Sequence, residues 1–225
     1  MRLRVCILTI LAASLLGAEP KEIERVKEAA TVFDEVMGIK ERTIPQELLD
    51  KAECVVIVPS VKKLAFGLGG KYGKGVISCR PENGQGWSGP STVRVEGGSF
   101  GFQIGGTSTD VVMLVMNKSG VSKLLQSKFT LGADMSVAAG PVGRDAQAET
   151  DAQMRAEMLA YSRSRGLFAG VSLAGATLRQ DADDNEHIYG KKVTPKEILM
   201  EEVKPPASVR KLIDTLDKYS SRRKG

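Results

Sequence analysis

Histidine is nearly absent from this 225-residue chain, cysteine is scarce, and aromatics make up only 5% of it. The single histidine, His187, leaves a serine nucleophile with one imidazole base, and nothing in the sequence marks a Ser–Lys arrangement in its place. His187, Cys54 and Cys79 together are one ligand short of a structural zinc site, and Cys6 lies in an N-terminal apolar segment. Sparse aromatics also weigh against a nucleic-acid surface, which needs side-chain faces on which bases stack. No apolar run reaches the ~20 residues of a membrane-spanning helix. No G-x-x-x-x-G-K-[ST] loop occurs, and the G-x-G at Gly67 and Gly69 meets Tyr72 where a dinucleotide loop wants its third glycine. Neither a cofactor nor a nucleic-acid partner is expected.

What the chain does have is a globular composition, 42% hydrophobic and 26% charged, and a length suited to one domain. Its first 18 residues, MRLRVCILTILAASLLGA, read as a secretory signal peptide. Arg2 and Arg4 precede an apolar stretch, and the small residues Gly17 and Ala18 mark the cleavage point. Residues 19–225 are then the exported chain, periplasmic or secreted, and the net charge falls from +5 to +3 as Arg2 and Arg4 leave. An oxidising compartment allows Cys54 and Cys79 to pair. Two separate buried thiols fit equally well, because both cysteines lie in apolar strand-like runs, CVVIV and GVISC.

Glycine is abundant, and its 24 residues concentrate between Gly67 and Gly175, where strands and tight turns are expected. Apolar residues step by three or four from Ile23 to Met37, predicting a helix over 19–37 that Gly38 ends. A short helix is predicted over 45–51, and CVVIVP reads as a buried strand ended by Pro59. LAFGLGGKYGKGVISCR reads as two strands around a turn at Gly69 to Gly75, followed by further strands broken near GGTSTD. A short helix over 118–127, a strand over 167–178, a loop at DADDNEHIYG, a short helix over 195–200 and an amphipathic helix over 206–219 complete the pattern. The prediction is α+β: a Gly-rich, mainly antiparallel sheet or barrel-like core flanked by N- and C-terminal amphipathic helices. One domain is expected, with its core about 22–200, the C-terminal helix 206–219 and a basic tail 220–225.

Three features invite chemistry. Gly97-Gly98-Ser99-Phe100-Gly101 matches G-x-S-x-G, but FGFQIGG continues as strand where a nucleophile elbow requires a helix. No catalytic residue, and no enzyme, is expected. Asp181, Asp183, Asp184 and Asn185 open like a calcium loop, yet Glu186 and Lys192 stand where glycine and glutamate belong. That stretch reads as a solvated loop with an exposed His187, and no metal site is expected. Lys62, Lys63, Lys71, Lys74 and Arg80 fall between Val58 and Pro81 with no acid among them, interleaved with Phe66 and Tyr72. Cations for headgroups beside apolar side chains for the interface suit an anionic membrane surface. The alternative is an ordinary solvated hairpin.

The segments GGKYGKGVISCR, WSGPS, GGSFGFQIGGTSTDVVMLVMN, LLQSKFTLGADMSVAAGPVGR, AYSRSRGLFAGVSLAGA and IYG resemble, in this order, the core of the SYLF domain family. The resemblance covers roughly 22–198. It implies a non-enzymatic domain: eukaryotic members bind phosphoinositides, yeast relatives also bind actin filaments in endocytic patches, and bacterial members are described as exported lipid binders. No SH3- or FYVE-type stretch lies within these 225 residues, so the recruiting logic of eukaryotic members does not carry over. The expected function is exported binding of anionic phospholipid headgroups, through Lys62, Lys63, Lys71, Lys74 and Arg80 with Phe66 and Tyr72 at the interface. The alternative is a protein-interaction module that binds an actin-like filament or a cell-envelope protein.

Overall fold

Runs such as Cys54 to Val58 and Val111 to Val115 lack polar alternate positions, the pattern of strands covered on both faces. In the computed structural model these two runs are neighbours at the centre of one sheet. The structure describes residues 19–39, 43–66, 68–82, 85–100, 105–143, 153, 155–164, 167–171, 173–201 and 203–221. The expected leader 1–18 and the last four residues of the expected basic tail lie outside them.

The strands are β1 (Cys54–Phe66), β2 (Leu68–Cys79), β3 (Ser91–Phe100), β4 (Gly105–Val115), β5 (Lys128–Thr130), β6 (Val137–Ala139), β7 (Met158–Ser164), β8 (Leu167–Gly170) and β9 (Thr177–Gln180). Their order is β5-β9-β3-β2-β1-β4-β7-β6, with β8 pairing β7 off this path. Among the described residues every pairing of named strands is antiparallel except β6 with β7. The helices are α1 (Lys21–Gly38), α2 (Gln46–Lys51), α3 (Lys118–Leu124), α4 (Ala182–Tyr189), α5 (Pro195–Met200) and α6 (Arg210–Tyr219), the last preceded by a 3-10 turn. The fold is α+β, as expected: a curled half-barrel flanked by N- and C-terminal helices.

Each face of the sheet has its own core. On one, Val55, Ile57, Val76, Val112 and Leu114 pack with Val26, Ala30 and Phe33 of α1 and Leu212 and Leu216 of α6. Phe33 meets Tyr219 edge-on with ring centroids 6.0 Å apart, tying the two terminal helices together. On the other, Val56, Val58, Ile77, Val95 and Met113 pack with Leu124 of α3, Leu199 of α5 and, from the curled edge, Phe129, Leu131 and Met135. Glu22 and Glu24 in the first turn of α1 complement its dipole. A capping box between Thr194 and Glu197, with Pro195 in the first turn, starts α5.

Four local expectations change. β1 is not ended by Pro59: it bulges there, with Ser60 at φ 52°, and resumes to Phe66. Proline lacks an amide for the ladder and is tolerated where pairing is already interrupted. The Asp110 carboxylate accepts the Ser60 N–H at 3.0 Å, which holds the bulge. Second, Gly69 to Gly75 is strand rather than turn, since β2 runs unbroken through it. Its glycines serve close approach: a Cβ on Gly75 would lie 2.2 Å from the Ile57 carbonyl oxygen. Third, GGTSTD is the opening of β4 rather than a break, the two expected strands being β3 and β4. Fourth, DADDNEHIYG forms helix α4, which Gly190 ends in the left-handed conformation at φ 67°.

Cys54 and Cys79 face each other across β1 and β2 and are joined by a disulfide, with an S–S distance of 2.02 Å.

Candidate functional site

Ser99 lies within β3, opposite Gly69, so the strand–turn–helix context of a nucleophile elbow is absent around it. His187 sits on α4, largely exposed, and not in a loop.

Strand alternation splits the basic segment. Residues directly opposed in an antiparallel pair share a face, and successive residues point to opposite faces. Lys62 opposes Tyr72, whereas Lys63 opposes Lys71. The first pair lies on the side carrying α1, the second on the other side. Phe66 takes a register position on the Lys62 face, opposite Leu68, but its side chain lies outside the described residues.

Two of the predicted cations are already engaged. The Lys74 ammonium contacts Asp184 at 2.8 Å and Asp181 at 3.0 Å. Its partial burial would lower its pKa, but the hydrogen bonds it donates to both carboxylates outweigh this and raise it. Arg80 is buried, contrary to the expected headgroup role. Its guanidinium donates to the carbonyls of Ala52 (3.0 Å) and Ser220 (3.2 Å) and stacks 4.0 Å above Trp87. Arg80 therefore locks the chain after α6 onto the end of α2, and presents no charge to a surface.

Of the predicted residues, Lys62, Tyr72 and Lys74 come together in one cleft of about 380 Å³ between α1 and the β1–β2 hairpin. Lys21, Glu24, Arg25 and Glu28 of α1, with Pro59 and Ser60 of the bulge and Gly73 of β2, complete its walls. Lys62 is exposed and Tyr72 is 48% exposed, so these two form the accessible rim.

Behind the rim stands a charged hub that the sequence reading missed. Asp184 receives Arg25 of α1 at 2.9 Å and Lys74 of β2 at 2.8 Å on the same oxygen. Asn185 accepts the Thr92 N–H at 2.8 Å and donates to Ser91 at 3.1 Å, pinning α4 to the start of β3. The available signal was helical spacing: Asp181, Asp184, Asn185 and Ile188 share one face, and Gly190 ends it. A second clasp joins α1 to the sheet. Arg163 of β7 contacts Asp110 at 2.7 Å and also pairs with Glu35 of α1. Beside the hub, ligand atoms of Glu22, Asp184 and His187 lie within 4.8 Å of one another, a donor set able to hold a metal ion. Ion pairs, a bulge and a rim of one lysine and one tyrosine suit recognition better than bond-making.

Comparison with known proteins points the same way. The family model described as Ysc84, Las17-binding protein actin regulator, matches residues 96–219. An SH3 domain-containing protein of Schizosaccharomyces pombe is 36% identical over 207 residues, covering 91% of this chain and 47% of the relative. LAS seventeen-binding protein 3 of Saccharomyces cerevisiae is 33% identical over 205 residues, 90% of this chain and 44% of the relative. The human SH3 domain-containing YSC84-like protein 1 is 31% identical over 202 residues, 87% of this chain and 58% of the relative. The chain thus spans about half the length of the curated relatives it matches.

Proposed function

Because the chain belongs to the Ysc84 family of Las17-binding actin regulators, to which the SYLF resemblance also pointed, we propose that it is a non-enzymatic interaction module with a protein partner. That partner is an actin-like filament or, where residues 1–18 direct export, a protein of the cell envelope. The observation that carries this reading is the family match over 96–219, extended by relatives aligned to 90% of the chain. The surface we assign is the cleft rim, where Lys62 offers a charge and Tyr72 a large amphipathic contact.

A second reading is an anionic membrane surface. It is favoured by the exposure of Lys62 and Tyr72 side by side on opposed strand positions, a cation beside an aromatic. Co-sedimentation separates the two. Residues 19–225 are spun with actin filaments, with anionic vesicles and with neutral vesicles, at low and physiological salt. Pelleting with filaments but not vesicles, and lost in Lys62→Glu/Tyr72→Ala, is the expected result. Salt-sensitive pelleting with anionic vesicles alone would replace the first reading by the second. No pelleting in any arm would remove both actin and lipid, leaving envelope proteins to be tested.

A further inference from the structure

Helix α4 carries Asp184 and His187 three residues apart, hence on one side of the helix, and α1 brings Glu22 against that side. Two observations set this group apart from ordinary surface charge. The Glu22 side chain is only 14% exposed, yet among the described residues its carboxylate accepts no hydrogen bond. Its polar neighbour is His187 Nδ1 at 3.6 Å, beyond hydrogen-bond distance. Asp184, 10% exposed, takes both Arg25 and Lys74 on Oδ2, which leaves Oδ1 without a hydrogen bond among the described residues. A carboxylate this little exposed and without a protein donor has an oxygen to offer a cation.

We propose that Glu22, Asp184 and His187 form a binding site for a divalent transition-metal ion of the zinc type. The imidazole nitrogen and two carboxylate oxygens supply three ligands, with water in the fourth position. An all-oxygen ion such as calcium fits less well, because the imidazole would be wasted on it. Ligands about 2.0 Å from a tetrahedral metal stand roughly 3.3 Å apart, so the group must close slightly from its present span. The His187 side chain, 62% exposed, has the freedom to make that movement. The neighbouring charges permit it: Glu22, Asp181, Asp184 and Glu96 against Arg25, Lys74 and Arg94 leave one net negative charge before the metal arrives. Binding would fasten the first turn of α1 to α4. The site stands independently of the partner proposed above.

The composition makes the test clean. His187 is the chain's one imidazole, and Cys54 and Cys79 are bonded to each other. Zinc chloride is titrated calorimetrically into the full oxidised chain carrying Cys6→Ala, at pH 7.5. The expected result is one-to-one binding, weakened at least tenfold by His187→Gln and by Glu22→Gln. The metal-free melting temperature of the His187 variant should be unchanged, because the exposed side chain makes no hydrogen bond among the described residues. Equal affinity in either variant would overturn the assignment, as would no binding by the parent at millimolar zinc.

Discussion

Breaking the Cys54–Cys79 bond should cost this fold about 3.5 kcal/mol, by the entropy of loop closure. The bond closes a loop with a sequence separation of 25. Restoring that loop's freedom in the denatured chain releases about 12 cal/mol/K, which is the ~3.5 kcal/mol at 25 °C. For a domain of this size the melting temperature should fall by roughly 7–14 °C. Native packing contributes little to the difference, because both cysteines are fully buried among apolar neighbours and reduced thiols would occupy the same place. Burial also predicts kinetics: millimolar reductant should leave the folded protein oxidised and act only once it unfolds. The assay is urea unfolding of the Cys6→Ser chain, oxidised or reduced in denaturant and refolded, with thiols counted by mass spectrometry. Unchanged midpoints with both thiols demonstrably free would refute the loop-entropy reasoning.

Three further outcomes follow from single contacts. Arg80→Met should destabilise by about 3 kcal/mol or more, since it strands buried carbonyls at Ala52 and Ser220; Arg80→Lys should recover little, because an ammonium cannot reproduce the planar fork over Trp87. Glu157 is partly desolvated, which alone would raise its pKa, but hydrogen bonds from Lys123, Ser119 and the Ser136 amide hold it down to about 2 from 4.5. Its folded pKa is depressed, so its stabilisation is complete above about pH 4.5 and lost as pH falls towards 2. That loss amounts to at most about 3 kcal/mol, and to less once screening of the half-open Lys123 is allowed for; Glu157→Gln should flatten acid unfolding curves in that window. Gly75→Ala should cost roughly 2 kcal/mol by forcing β2 away from the β1 bulge, whereas Gly98→Ala, with nothing within 4 Å of the added Cβ, should be close to neutral in the same melt.

The local text of the chain determined most of the elements. The double-faced strands are written in CVVIV and VVMLV, α1 and α6 in their three-and-four spacing, and the family in its glycine-rich segments. The possibility of the disulfide was legible too, but not its choice over two separate thiols, which needed Cys54 and Cys79 opposite one another. What the sequence could not convey was where its charges end up. Lys74 meets Asp184 across 110 residues, Arg80 meets Ser220 across 140, and Thr92 meets Asn185 across 93. Periodicity reports only neighbours within a turn or a strand, so a lysine destined for a buried carboxylate looks the same as one destined for water. The run from Lys62 to Arg80 read as one basic surface because residues close in sequence were treated as close in space. The register of β1 with β2 sends Lys62 and Lys63 to opposite faces, and the packing of distant elements ties Lys74 to Asp184 and buries Arg80. Local propensity selected the strands and helices; only the tertiary structure, by deciding which polar groups lose water and must find each other, chose which charges remain free to bind.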